Sequence, residues 1–130
     1  MQAKIALVAH DKMKPQLVEF LKAREQWLWG RKFVATGMTA DFIEQGTKLD
    51  IDHLNPGREG GFVELANMAQ RGELSLILFF RDPEMVQEYE SEVINFVKTC
   101  IRENLPLASN PASAELLIVG LIKMEASKKP

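Results

Sequence analysis

Cysteine is nearly absent from the chain. The single Cys100 has no partner for an internal disulfide, which excludes a small scaffold stapled by such bonds. No secretory signal is evident, so a reducing, cytoplasmic compartment is the expectation. Excess positive charge is missing as well. Sixteen Lys and Arg against eighteen Asp and Glu give a net charge of −2, which argues against a nucleic-acid module built on a basic face. No apolar run approaches the roughly 20 residues that span a bilayer, so no membrane partner is expected. Two histidines and one cysteine offer no metal-ligand spacing, and neither a metal nor a cofactor is expected. Repeats, low-complexity stretches and linkers are also lacking. The 130 residues, 46% hydrophobic and 26% charged, therefore suit one globular domain over 1–125 with a flexible tail at 126–130.

Short apolar runs punctuate the chain. Lys4–His10 (KIALVAH), Phe33–Thr36 (FVAT) and Leu74–Phe80 (LSLILFF) are too short for helices and suit strands buried on both faces. Pro106–Ser109 is a weaker candidate, and Ile51–Leu54 weaker still. Between them the period becomes helical. Leu17, Phe20, Leu21 and Leu28 share one face; Val93, Phe96, Val97, Cys100 and Ile101 form a second stripe, and Ala114, Leu117, Ile118 and Leu121 a third. Cys100 is thereby expected to be a buried structural thiol. Gly30, Gly72 and Asn104 mark helix ends. Strands alternating with helices imply a parallel sheet covered on both faces, with ligands bound beyond the carboxyl ends of its strands.

That rule selects the residues after each strong strand: His10-Asp11, Thr36–Thr39 and Arg81-Asp82-Pro83. Thr36-Gly37-Met38-Thr39 opens a helical stretch over Ala40–Gln45, so hydroxyls, a glycine and free amides meet at a helix start, as an anion site requires. An ordinary N-cap by Thr39 explains the same residues. Lys14, about one turn beyond His10, can supply a phosphate with a point charge, or it can face solvent. Asn55–Gly61 has three glycines in seven residues and reads as a second pocket wall or as a flexible loop. His53 reads as a surface histidine in a loop. Asp82 at the lip of an apolar strand suits proton transfer, or else a turn before Pro83. Trp27 and Trp29, beside a helix end, fit either a subunit contact or the core.

Ile5–Lys14 (IALVAHDKMK), Val34–Thr39 (VATGMT), Gly60-Gly61, Arg71-Gly72, Phe79–Pro83 (FFRDP) and Pro106–Glu115 (PLASNPASAE) together resemble the methylglyoxal synthase family. The resemblance implies a three-layer α/β/α domain with a five-stranded parallel sheet. It further implies a homo-oligomer, typically a hexamer, and a lyase that eliminates phosphate from dihydroxyacetone phosphate to give methylglyoxal. Related domains are regulatory binding modules in carbamoyl phosphate synthetase, so a non-catalytic domain that binds a phosphorylated metabolite is the alternative. Carried over by position, His10, Lys14, Thr36, Gly37, Thr39 and Gly57 contact phosphate and substrate, with Asp11 beside His10. Asp82 and His10 are the catalytic candidates. Departures from the family pattern are specific. Phe62 stands where the family carries its catalytic aspartate, Met38 replaces the middle threonine of the turn, Pro56 replaces a serine, and Tyr89 takes the place of a substrate-contacting histidine. Phenylalanine neither accepts a proton nor holds an oxyanion, and a lost general base is worth roughly 10²–10⁴-fold in rate. Phe62 also fits a core stripe with Leu65, Ala66 and Ala69, and Glu59 and Glu64 flank it as displaced bases.

Overall fold

The apolar runs fold as the sequence suggests, and the computed structural model describes residues 3–86 and 88–127. The strands are β1 (Lys4–Ala9), β2 (Phe33–Thr36), β3 (Ile51–Leu54), β4 (Leu74–Phe80) and β5 (Leu107–Ala108). They form one parallel sheet in the order β3-β2-β1-β4-β5. The chain winds outward from β1 in one direction and then, from β4, in the other. The order therefore switches between β1 and β4, where an open α/β sheet leaves a crevice.

Alternation along the strands sends side chains to two separate cores. Ile5, Leu7 and Ala9 point to one face, where α1 (Lys14–Ala23), α2 (Glu25–Leu28), α3 (Gly37–Gly46) and α6 (Pro111–Ser127) pack. Ala6 and Val8 point to the other, beneath α4 (Gly61–Gln70) and α5 (Glu90–Arg102). Both faces of β1 and β4 are dry, so these strands read as continuous apolar runs. Each fully buried Leu, Ile or Phe contributes about 1.5–3 kcal/mol. The Arg24 guanidinium ties α1 to Glu115 of α6 and lies over the Phe20 ring.

Several expectations need correction. The stripe on α5 closes with Thr99 and Cys100, both 1% exposed, whereas Ile101 is 74% exposed. Burial pushes the Cys100 thiol up to about 11, which suits an inert core residue. α3 begins at Gly37, three residues before the expected start, so Thr39 lies inside its first turn and no side chain caps the helix. His53 lies on edge strand β3, not in a loop; its Nε2 is 2.8 Å from Glu44 and its Nδ1 3.7 Å from Asp41, an exposed cluster. α6 runs to Ser127, two residues into the expected tail, and 128–130 lie outside the described residues. No helix among the described residues is long and apolar enough to cross a membrane.

Candidate functional site

β1, β2 and β3 each release a segment into one place at their carboxyl ends. The cavity there, about 160 Å³, is lined by His10, Asp11, Lys14, Thr36, Met38, Thr39, Gly57, Phe62 and Tyr89, together with Pro56, Arg58 and Met85. A larger groove of about 270 Å³ lies at the start of β2, but its polar side chains, such as Lys32, Lys48, Asp50 and Asp52, are exposed. Chemistry rather than volume selects the smaller cavity, where four polar side chains, His10, Lys14, Thr36 and Thr39, are at most 7% exposed. Burying polar groups costs stability unless partners compensate, so such a cluster needs a reason.

Lys14 is the centre of the anion-attracting end. Its Nζ donates to the Ala9 carbonyl at 2.9 Å and to Asp11 Oδ1 at 2.6 Å, which leaves one of three N–H donors unused by these contacts. The hydrogen bond and charge of Lys14 hold the Asp11 carboxyl below its ordinary range, so Asp11 is ionised at neutral pH. Thr36 and Thr39 Oγ1 stand 3.4 Å apart, and Thr39 Oγ1 donates weakly to the Ala9 carbonyl at 3.5 Å. The uncapped first turn of α3 adds amides and the positive end of a ten-residue helix.

His10 marks the β1/β4 switch. Its N–H donates to the Phe80 carbonyl, and its Nδ1 accepts the Asp82 N–H at 2.8 Å. Burial first, then the nearby Arg81 charge, lower its pKa, so the ring is neutral at pH 7 with its proton on Nε2. That Nε2 is buried and has no hydrogen-bond partner among the described residues. It is a donor held ready beside the cavity.

Phe62 is both cavity wall and core. At 3% exposure, its ring meets Phe79 at 5.5 Å, Tyr89 at 5.9 Å and Phe96 at 6.0 Å. Gly57 accommodates it: a Cβ there would lie 2.8 Å from Phe62 Cε2 and 3.4 Å from Tyr89 Cε2. Asp82 does not line the cavity; its Oδ1 accepts the Glu84 N–H, while its backbone orients His10. Gly37 also lies just outside the lining and donates to the Asn55 carbonyl at 3.4 Å. Glu64 accepts the Asn55 N–H at 3.0 Å, and Glu59 is exposed and outside the lining. Among the described residues the cavity therefore has one carboxylate in its lining, Asp11, and Lys14 is paired with it.

Sequence reasoning did not single out Arg58 or Met85. The signal for Arg58 was present, since its loop follows β3 as the others follow their strands, but β3 was the weakest strand candidate. Nothing in the sequence marks Met85.

No family model matches the chain. It is 39% identical over 118 residues to the methylglyoxal synthase of Geobacillus sp. (strain WCH70), covering 91% of this chain and 84% of that protein. It is 40% identical over 121 residues to the methylglyoxal synthase of Borreliella burgdorferi (strain ZS7), covering 93% and 96%. Among solved structures, it is similar to the crystal structure of methylglyoxal synthase from Elizabethkingia anophelis NUHP1, with a TM-score of 0.83, 31% identity and coverage of 90% and 77%.

Proposed function

The chain belongs to the methylglyoxal synthase family, and from that premise we propose that it binds a small phosphorylated metabolite in the cavity beyond β1, β2 and β3 and converts dihydroxyacetone phosphate to methylglyoxal only slowly. The observation that carries this reading is the ring of Phe62 in the wall of a cavity whose one lining carboxylate among the described residues, Asp11, is paired with Lys14. Phosphate has what it needs: a buried ammonium, two buried hydroxyls and a helix start. Forming an enediolate needs a base beside the carbonyl, and neutral His10 offers the cavity a donor instead. Asp82 supports His10 from behind.

Calorimetry with inorganic phosphate and dihydroxyacetone phosphate tests the binding. Lys14→Ala combined with Thr39→Ala should weaken both by about 10²-fold, on the order of two charge-assisted contacts. Unchanged affinity sinks the reading. Wild-type turnover within the ordinary enzymic range of about 1–10³ s⁻¹ restores an efficient lyase.

Self-association is part of the same proposal. Trp27 and Trp29 are 57% and 66% exposed, and Leu116 and Met124 on α6 are similarly bare. Large apolar side chains left bare on a helix favour a covering partner, and exposed aromatics mark contacts. Light scattering at micromolar concentration should return a multiple of 14.7 kDa, and a monomer there rejects assembly. We place the protein in the cytoplasm, where its single buried cysteine stays reduced.

A further inference from the structure

Among the described residues three charged side chains line the cavity, Asp11, Lys14 and Arg58, and the first two are paired with each other. Arg58 is left over. It makes no hydrogen bond or ion pair among the described residues, although it sits on the short turn Gly57–Glu59 at the cavity's edge. Its side chain is exposed at the rim and lines the same cavity as Asp11 and Tyr89. Tyr89 is the other unused group. Its ring is fixed against Phe62 at 5.9 Å and a tilt of 30°, and its hydroxyl has no hydrogen-bond partner among the described residues. Burial raises the phenol pKa, so the hydroxyl stays protonated and can donate.

We propose that Arg58 and Tyr89 form a second anion-recognising end of this cavity, so that its ligand is a small phosphorylated carboxylic acid. The inference rests on the phosphate reading given above. A guanidinium fork matches a planar carboxylate with two parallel N–H donors, and the phenol adds a third. Phosphate fills the end made by Lys14, Thr36, Thr39 and the start of α3. Phe62 and Met85 give the cavity apolar surface and, unlike an acidic residue, bring no charge to repel a ligand carboxylate. At about 160 Å³ the cavity lies well below the roughly 300–1,000 Å³ of drug-sized sites, which limits the ligand to a few carbons. A neutral phosphorylated ketone would leave Arg58 unused; an acid engages it.

Calorimetry with 3-phosphoglycerate and glycerol 3-phosphate, which share a phosphate and a three-carbon skeleton, tests this on the full chain. Wild type should bind the acid at least about tenfold more tightly, as gained charge-assisted hydrogen bonds predict. Arg58→Gln should bring the two ligands to within about threefold while changing glycerol 3-phosphate little, and Tyr89→Phe should narrow the gap in part. Equal wild-type affinities overturn the inference and leave the phosphate reading standing, as does an Arg58→Gln variant that weakens both ligands alike. Failure of wild type to bind either ligand overturns both.

Discussion

Phe62→Asp should melt at a lower temperature than the wild type and yet form methylglyoxal from dihydroxyacetone phosphate faster. The stability loss follows from the ring's surroundings. Phe62 is 3% exposed and touches Phe79, Tyr89 and Phe96, so truncating it forfeits transfer energy and opens a void, typically about 3–5 kcal/mol. The gain in rate follows from the wall it belongs to. Removing the ring enlarges the cavity next to Gly57, where water and substrate can reach the new carboxylate, so it is not stranded as an unpartnered charge in the core. A base at that place restores what the family resemblance assigns there, and a rise of about tenfold or more is expected, part of the 10²–10⁴-fold that general bases supply. Phe62→Leu is the control, because it opens space without adding a base. Equal acceleration by Phe62→Leu would assign the effect to room alone. A folded Phe62→Asp protein with no gain would show that Met38 and Tyr89 have removed further parts of the lyase site.

The most legible elements were those whose side chains meet protein on every side. β1 and β4 carry apolar residues continuously because helices cover both faces of the sheet, and their expected limits agree with the structure to within one residue. β3 was faint for the opposite reason. It is an edge strand with Asp52 and His53 exposed, so only one of its four residues, Ile51, is fully buried. β5 contributes only Leu107 and Ala108 to the ladder, too few to impose a pattern. On α5 the i, i+3, i+4 rule assigned Ile101 to the core, but with 3.6 residues per turn the direction shared by the buried Val93, Phe96 and Cys100 lies nearer Thr99 than Ile101, and Thr99 faces inward in its place. Thr99 can do so because its hydroxyl donates to the Asn95 carbonyl at 2.8 Å.

The site divided along a similar line. His10, Thr36 and Thr39 stand at the ends of strong strands, so the strand-end rule found them; Lys14 followed from its place about one turn beyond His10, and the fold brings all four together. Asp82 obeys the same rule but turns its carboxylate to the Glu84 amide, a local hydrogen bond that position in the chain does not reveal. Phe62 satisfied two readings because it occupies both environments: first turn of α4, cavity on one side and aromatic cluster on the other. Trp27 and Trp29 could not be assigned from spacing, since a helix end can face either way; both are exposed.

Gly61→Ala should cost more stability than Gly60→Ala, although Gly60 has the less ordinary backbone, and it should abolish phosphate binding. Gly60 adopts φ +96°, but a Cβ built on it meets nothing within 4 Å. Alanine there incurs only the left-handed conformational penalty, about 1–2 kcal/mol. Gly61 lacks the positive φ and has no space. A Cβ would lie 2.3 Å from the Asn55 carbonyl oxygen, 2.9 Å from Thr36 Cγ2 and 3.0 Å from the Pro56 carbonyl oxygen. Two of these are backbone atoms, which cannot rotate away as a side-chain tip can. Relief requires the start of α4 to withdraw from the Asn55–Gly57 turn, a loss of about 3 kcal/mol at the upper end of ordinary overpacking. The same withdrawal moves Thr36, Pro56 and Gly57, all of which line the cavity. The Gly61 amide also donates to the Pro56 carbonyl at 3.1 Å, so the turn loses a tie as it opens. Denaturant melts of the two variants beside calorimetry with inorganic phosphate decide the matter. Gly61→Ala should be the less stable and should show no heat of binding at concentrations that saturate Gly60→Ala. Matching melts, or a Gly61→Ala protein with wild-type affinity, would mean that the close approach of α4 to the turn neither supports the fold nor shapes the site.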